Sequence, residues 1–481
     1  MNDLPAFWPA LPELFLASCA ITLLIVGVFI TPRFTALIGQ LSVMALVVTG
    51  ILMIGYEGEP TVTFNELFIL DGFALFMKLL ILIGSILALL MSHNFIKHEQ
   101  MDRFEFPILI LFATLGMMMM VSANDIIALY LGLETQSLTL YIMATFRRDS
   151  AKSSEAGLKY FLLGALSSGL LLYGASLVYG YTGSTNFQHI ALLIQDPQSV
   201  SLGLIIGMVF VSAGLIFKLS AVPFHMWTPD VYEGAPTEVT AFLAMAPKVA
   251  AMALFLRLLY EPFGNIVILW QQIIIVVSVA SMILGALAAL YQTSIKRLMA
   301  YSAIGHIGYA LVGLAAGTKE GLISVIIYMT IYLIMTAGTF MIILCMRRQG
   351  RLCDEIHDLA GLSQTHPLLA LAATMFMFSM AGLPPLAGFF GKFYVFMAAV
   401  HAQLYILAII AVVTSVIAAF YYLRIIKLIY FDTLVTRFDS QKNATMASMI
   451  FVTCTIITFF FVYPLPIVDN ATYAAQWLFT K

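Results

Sequence analysis

The segments FKLSAVPFHMWTPDVYEG, residues 217–234, and FSMAGLPPLAGFFGKFY, residues 378–394, decide how this chain folds. Both lie inside long apolar runs, and each carries proline near its middle: Pro223 in the first, Pro384 with Pro385 in the second. Proline has no backbone N–H and its ring clashes with the preceding turn, so a helix must break there. In hydrocarbon, the carbonyls so freed are tolerated only when buried in protein or facing a wet cavity. Setting Ala221-Val222-Pro223 against Gly382-Leu383-Pro384 places the two breaks five membrane spans apart. An odd separation inverts orientation, which is the layout of an inverted repeat, with spans 4 to 8 matching spans 9 to 13.

Working outward from these two runs, apolar stretches of about 20 residues, enough to cross roughly 30 Å of hydrocarbon, recur along the whole chain. We expect about fourteen, near residues 12–31, 34–54, 70–91, 106–122, 125–146, 157–180, 201–232, 237–260, 265–292, 296–316, 321–346, 367–400, 403–430 and 445–464. The chain should therefore be an all-α polytopic membrane protein with discontinuous seventh and twelfth helices. Its expected organisation is residues 1–105 for spans 1 to 3, 106–260 and 261–431 for the two five-helix units, and 432–481 for a last helix. Composition agrees: 62 % of the 481 residues are hydrophobic and only 10 % charged, which a water-soluble chain does not approach.

A net charge of −2 offers neither a basic surface for nucleic acid nor an acidic tail. Cys19, Cys345, Cys353 and Cys454 form no CxxC pair and no cluster at metal-ligand spacing. There is no GxGxxG and no GxxxxGK[ST], so neither a dinucleotide nor ATP site is expected. Energy must reach this chain from a gradient or a partner. No lysine or arginine precedes Arg33, so the basic region of a cleaved signal is missing and the first helix is expected to be retained.

The loops orient the spans, because cytoplasmic loops collect lysine and arginine. With these boundaries one side receives Arg33, Lys97, Arg103, Arg147, Arg148, Lys152, Lys296, Arg297, Arg347, Arg348, Arg351, Arg437 and Lys442, and the other only Lys319 and Lys481. Both termini are thus expected on the side away from the cytoplasm.

The remaining cations, Lys78, Lys159, Lys218, Lys248, Arg257, Lys392, Arg424 and Lys427, fall within spans. Arg257, Arg424 and Lys427 lie near helix ends, where long side chains reach back to the interface. Glu134 is different. It lies about nine residues past Asp125, roughly 14 Å into the bilayer at 1.5 Å per residue, and a carboxylate at that depth needs a partner or water. Lys159 opens the next span and is one possible partner. Lys218 precedes the break at Pro223, Lys248 stands mid-helix, and Lys392 follows Pro384 on the second half of the other broken span. An ammonium at low dielectric gives up and regains a proton more readily than one in water. Deep acids are too few to neutralise these lysines, so a proton relay accounts for them better than ion-pair architecture. His225, just past the first break, and His306, in the tenth span, can each pass a proton between two ring nitrogens. The run Met117 to Met120 is read as packing surface.

These residues resemble the antiporter-like subunits of respiratory complex I, and among them the subunit N branch of bacterial NADH:quinone oxidoreductase. The resemblance is carried by LGLETQSLTLYIMATFRRDSAKSSEAGLKYFLLGALSSGLLLYGASLVYG (131–180), KLSAVPFHMWTPDVYEGAPTEVTAFLAMAPKVAAMALF (218–255), YSAIGHIGYALVGL (301–314) and AGLPPLAGFFGKFYVF (381–396). It implies a fourteen-helix fold with two inverted five-helix units, and it matches Glu134, Lys218, Lys248 and Lys392 to the family's proton-relay carboxylate and lysines. Lysine at 392 and the end of the chain after its last span favour N over its sister subunits. Glu238 departs from the family, whose members often have proline there. The resemblance further implies a translocase subunit of the bacterial inner membrane, without redox chemistry of its own. NADH, flavin, iron–sulfur clusters and quinone would be held by partner subunits, and its neighbours would be the other membrane-arm subunits and the lipid bilayer. The alternatives are a subunit of a cation/proton antiporter, which shares this fold, and a spacer whose charges only hold helices together.

Overall fold

A computed structural model describes residues 5–29, 35–56, 59–93, 102–195, 200–435, 437–439 and 443–479. Arg33, Lys97, Lys442 and Lys481 of the loop-charge argument lie outside the described residues. The spans are α1 (Leu11–Phe29), α2 (Thr35–Met53), α3 (Gly72–Ser92), α4 (Glu105–Val121), α5 (Ile126–Ala144) and α6 (Ala151–Thr182). Then follow α7 (Leu202–Leu219) with α8 (Trp227–Gly234), α9 (Thr237–Ala244) with α10 (Ala246–Tyr260), α11 (Val267–Ala289), α12 (Ile295–Ala315) and α13 (Lys319–Cys345). The chain continues through α14 (Pro367–Ala381) with α15 (Ala387–His401), α16 (Tyr405–Phe431), α17 (Ala444–Phe459) and α18 (Leu465–Phe479). Eleven helices among the described residues are long and apolar enough to cross a membrane, and three shorter apolar helices, α4, α14 and α17, take the remaining places of the expected set. The breaks at the seventh and twelfth spans fall where the prolines put them.

Within the first five-helix unit α4 packs along α5 and α6 along α7; within the second, α11 packs along α12 and α13 along α15. Small residues let three of these pairs approach to backbone contact: α6 and α7 meet at Gly174 and Gly207, and the first pair of each unit meets in the same way. A Cβ on Gly116 of α4 would lie 2.5 Å from the backbone nitrogen of Gln136 on α5, and one on Gly285 of α11 would lie 2.6 Å from that of Gly305 on α12. The two pairs occupy corresponding places in the two units. The eighth span is wholly enclosed by its neighbours and the tenth and eleventh are 94 % buried, against 28 % for the first, so these three spans form the interior and α1 and α2 lie at the rim. Met117, Met118 and Met120 are buried between helices, the packing role expected of that run.

Four differences from the sequence reading have physical causes. First, the eighth span is not continuous: it breaks at Met245 (φ −107°, ψ −95°), one residue before α10 begins with Ala246 and Pro247. Pro247 has no N–H to give, so the break costs α10 nothing at its first turn. Second, the last part of the chain holds two helices, α17 and α18. Ala471, Ala474, Ala475 and Leu478 of α18 recur at helical spacing and are buried against α3 and α13. Gly72 leaves the room, since a Cβ there would sit 2.3 Å from the Trp477 indole. A hydropathy window averages over such a stripe and misses it.

Third, Arg257 does not reach to an interface. It is fully buried and forms a two-pronged pair with Asp71 at 2.8 and 3.0 Å, a third bond to Glu261 at 2.7 Å and a fourth to the Val121 carbonyl at 3.0 Å. Asp71 also caps α3 by accepting from the Ala74 N–H. Exposed Lys427, paired with Asp432, does keep its head at the surface as expected. Fourth, Lys78 is buried against Glu13 at 2.5 Å, tying α3 to α1. The deep acids are thus more numerous than the spans suggested, but Glu13, Asp71 and Glu261 each hold a cation outside the lysine series.

Candidate functional site

Both broken spans end their first half in the same way. At the end of α7, Ser220 turns into the left-handed region (φ 62°) and the Ala221 N–H donates back to the Ile216 carbonyl at 3.0 Å. At the end of α14, Gly382 does so (φ 85°) and the Leu383 N–H donates to the Phe378 carbonyl at 3.1 Å. This wrapping pattern satisfies the carbonyls two and three residues before the end of a helix but gives the last one, that of Leu219 or of Ala381, no backbone donor. It also superposes Ser220 on Gly382, so Pro223 corresponds to Pro385 and not to Pro384. The proposed sequence match was one residue out of register, because a proline pair offers two ways to align a single proline.

A lysine ammonium occupies each freed carbonyl. Lys248 of α10 donates to Leu219 O at 2.8 Å and to the Ser220 hydroxyl at 2.6 Å. Lys392 of α15 donates to Ala381 O at 2.9 Å and to the Ser415 hydroxyl of α16 at 2.9 Å. A cation is favoured at this place because the helix C-terminus carries partial negative charge. The two lysines arrive from different directions, Lys248 from the neighbouring span and Lys392 from the second half of the broken span itself. Gly382 serves twice: it accepts the left-handed turn, and a Cβ on it would lie 2.9 Å from the Lys392 side chain. The Lys392 ammonium also lies 4.9 Å above the Tyr309 ring.

Lys218, buried near the end of α7, is directed to hydroxyls on α5: Ser137 at 2.7 Å and Tyr141 at 3.1 Å. Glu134 stands one helical turn before Ser137, and its carboxylate accepts a short hydrogen bond from the Ser168 hydroxyl of α6. Glu134 thus lies one turn from the hydroxyl that accepts from Lys218, and the two charged groups make no direct ion pair, each having its own hydroxyl partner. Trp227, not singled out from the sequence, completes this region. Its indole N–H donates to Phe217 O at 3.0 Å, its ring stacks on Tyr160 at 4.4 Å, and Lys248 lies 5.8 Å from its centre. A tryptophan four residues past a membrane proline was the available signal.

His306 is buried in α12 between two phenols: Nδ1 lies 2.7 Å from the Tyr328 hydroxyl of α13 and Nε2 lies 3.1 Å from the Tyr422 hydroxyl of α16. Tyr422 in turn lies 2.5 Å from the Ser302 hydroxyl. A neutral imidazole is a donor at one nitrogen and an acceptor at the other, so this row can carry a proton in either direction by exchange of roles. Tyr328 and Tyr422 were not identified from the sequence, where a tyrosine in an apolar run carries no mark.

Lys159 does not meet Glu134. It pairs with Asp230 of α8 at 2.7 Å and with Glu155 at 2.8 Å, and is 42 % exposed on the face that carries Arg147 and Arg148. Asp230 also accepts from Arg297 of α12, which reaches Glu233 as well, each at 3.0 Å. The reason is position: Lys159 lies only two turns into a helix that starts at Ala151, so it is too near the surface to reach mid-membrane. His225 stands half-buried in the link between α7 and α8, with Nδ1 lacking a hydrogen-bond partner among the described residues. The structure does not join it to the other titratable groups. Among the described residues no group of three or more histidine, cysteine, aspartate or glutamate side chains could hold a metal.

Residues 123–418 match the family described as NADH:quinone oxidoreductase/Mrp antiporter, TM. The chain is 57 % identical to NADH-quinone oxidoreductase subunit N of Rhodospirillum rubrum, over 98 % of this chain and 97 % of that one. It is 56 % identical to the protein of the same name from Parvibaculum lavamentivorans, over 97 % of each. Among solved structures it resembles a chain of respiratory complex I from Thermus thermophilus with bound aureothin, with TM-score 0.81, 31 % identity and coverage of 95 % of this chain and 99 % of that one. A chain of the Mrp complex from Dietzia shares the fold, with TM-score 0.87 at 22 % identity over 98 % of this chain and 97 % of that one.

Proposed function

Because this chain belongs to the subunit N family of NADH-quinone oxidoreductase, we propose that its buried lysines are the proton path of a membrane-arm subunit. Its setting is multi-pass, in the bacterial inner membrane, beside the other membrane subunits of the complex. The single observation that carries the path is the repeated arrangement at the two breaks, a lysine ammonium on the last carbonyl of a half-helix. Each is a mid-membrane place where a proton can rest on nitrogen with its hydrogen bonds satisfied.

Protons are taken up from the cytoplasm, the side to which the loop charges assign Arg147, Arg148 and Lys296, so both termini are periplasmic. They reach Lys248 at the first break. Lys218 and Glu134 act beside it as a charge pair: a proton arriving on Lys248 weakens the hold of its neighbour Lys218 on its own. Onward transfer runs through Ser302, Tyr422, His306 and Tyr328 toward Lys392, and leaves on the opposite face. The chain carries no redox step. Quinone reduction, with NADH, flavin and iron–sulfur centres, belongs to partner subunits and drives the shifts of charge along this axis.

The relatives that share most of this sequence are named as subunit N, whereas the Mrp likeness is one of fold alone, so the antiporter alternative is not favoured. Lys218→Ala or Glu134→Ala in the assembled complex should lower NADH:quinone turnover coupled to pumping. Normal pumping by both assembled variants would overturn the relay.

A further inference from the structure

On the face that carries the arginines, away from the lysine axis, two cavities meet. The larger, about 720 Å³, is lined by Arg147 and Lys152 of the link between α5 and α6, by Lys296 at the start of α12, and by Arg347 and Arg351 of the hairpin after α13. The smaller, about 430 Å³, runs along the outside of α1, α4 and α5. Its walls are Leu24, Ile108, Leu109, Phe112 and Ile142, and its polar groups are Arg103, Glu105, Thr145, Arg148 and Ser154. Arg103, Phe146 and Arg148 line both cavities.

The division of chemistry is that of a lipid. Leu24 is 38 % and Ile142 53 % exposed, so the groove opens sideways to the hydrocarbon that surrounds the spans. From Glu105 at its head to Phe112 at its foot, α4 rises about 10 Å, enough for the first part of one acyl chain. Phe104 is seated on Gly27 of α1, where a Cβ would lie 2.3 Å from its ring, and this anchors Arg103 at the head of the groove. A guanidinium on either side is a fork that fits phosphate oxygens. Behind that head lies the larger cavity, whose cations outnumber Asp149, Glu233, Glu238 and Asp354, so the field there favours a headgroup with net negative charge.

We propose that this groove holds an anionic phospholipid, its phosphate between Arg103 and Arg148 and one acyl chain along Leu24, Leu109, Phe112 and Ile142. The loop-charge rule accounts for basic residues on this face; it does not account for two of them heading an apolar groove.

The test uses the assembled complex, stripped in detergent and then offered mixed micelles of phosphatidylglycerol and phosphatidylcholine, with retained lipid counted by mass spectrometry after gel filtration. The wild-type complex should retain phosphatidylglycerol in preference. The double variant Arg103→Ala/Arg148→Ala should lose about one lipid equivalent, and Leu109→Trp, which fills the groove and leaves every charge in place, should lose the same one. Arg351→Ala, which touches only the larger cavity, should keep it. Equal retention by the double variant and the wild type would overturn the proposal. So would loss in the arginine variant with full retention in Leu109→Trp, which would mean a lipid held by its headgroup alone with its chains outside this groove, and so would equal retention of the two lipids. If the alanine variant does not assemble, Leu109→Trp alone decides. The readout is independent of pumping, so its failure would leave the proton path untouched.

Discussion

Lys248 and the carbonyl of Leu219, 2.8 Å apart, join the eighth span to the break in the seventh. Lys248→Met keeps most of the volume but strands that carbonyl, an unsatisfied buried group worth about 1–3 kcal/mol. It also deletes a proton carrier, and lost proton transfer costs about a hundredfold or more in the step served. NADH-driven acidification of proteoliposomes holding the variant complex should fall at least tenfold, whereas Ser220→Ala, which removes one of two acceptors, should be milder. Wild-type pumping by Lys248→Met would remove it from the path.

Glu134 is held by the Ser168 hydroxyl, so charge and hydrogen bonding can be varied apart. Glu134→Gln keeps an oxygen to accept from Ser168 and loses the charge; Ser168→Ala does the reverse; Glu134→Asp keeps the charge with a shorter reach. If the carboxylate acts on Lys218 by its charge, coupled turnover should rank Ser168→Ala and Glu134→Asp above Glu134→Gln. Equal loss in all three would assign Glu134 to packing.

Arg257 is pinned by Asp71 and Glu261 with none of the three open to solvent. Removing one member of a buried pair strands a charge, at about 3–5 kcal/mol. Arg257→Met, which removes the cation that the buried carboxylates of Asp71 and Glu261 share, should therefore lower the thermal unfolding midpoint of the complex or abolish assembly. Lys427→Met, which breaks the exposed pair with Asp432, should change stability by about 0–1 kcal/mol. A thermal scan of the two variants side by side gives the comparison.

Asp439 lies outside the spans and clamps the hairpin Arg347–Leu352: its carboxylate accepts from the Gly350 N–H at 2.8 Å and the Gln349 N–H at 3.0 Å. Those two bonds, the one from Gly350 foremost, hold its carboxyl below the usual aspartate range. The folded value is lower than the unfolded one, so the clamp is fully present above about pH 4 and weakens as pH falls through the lowered value. Protection of the Gln349 and Gly350 amides, with each exchange rate taken against its intrinsic rate at the same pH, should hold from neutrality down to about pH 4 and fall below it, and Asp439→Asn should lack it throughout. Protection unchanged in Asp439→Asn would remove the clamp.

Tyr328 and Tyr422 flank His306, and each can be tested by loss of one oxygen. Tyr422→Phe breaks the row between Ser302 and His306, whereas Tyr328→Phe breaks it on the far side. Both should slow pumping by about tenfold or more if the row conducts, with NADH oxidation by a hydrophilic acceptor unchanged. Unaltered pumping in both would leave His306 as a hydrogen-bonded core histidine.

By itself the sequence determined the membrane fold, the places of both breaks and the identities of the deep lysines. These are local properties: transfer of apolar runs into hydrocarbon, the missing donor of proline, the cost of a charge at depth. Partnership was decided only by the tertiary structure. Lys248 and Leu219 are 29 residues apart, and Arg257 and Asp71 are 186 apart, so nothing in either neighbourhood points to the other. For the same reason Arg257 read as a surface-seeking cation and Lys159 as a partner of Glu134. The two half-helix ends, each with its last carbonyl on a lysine, appear only once the chain has brought α10 against α7 and α15 against α14.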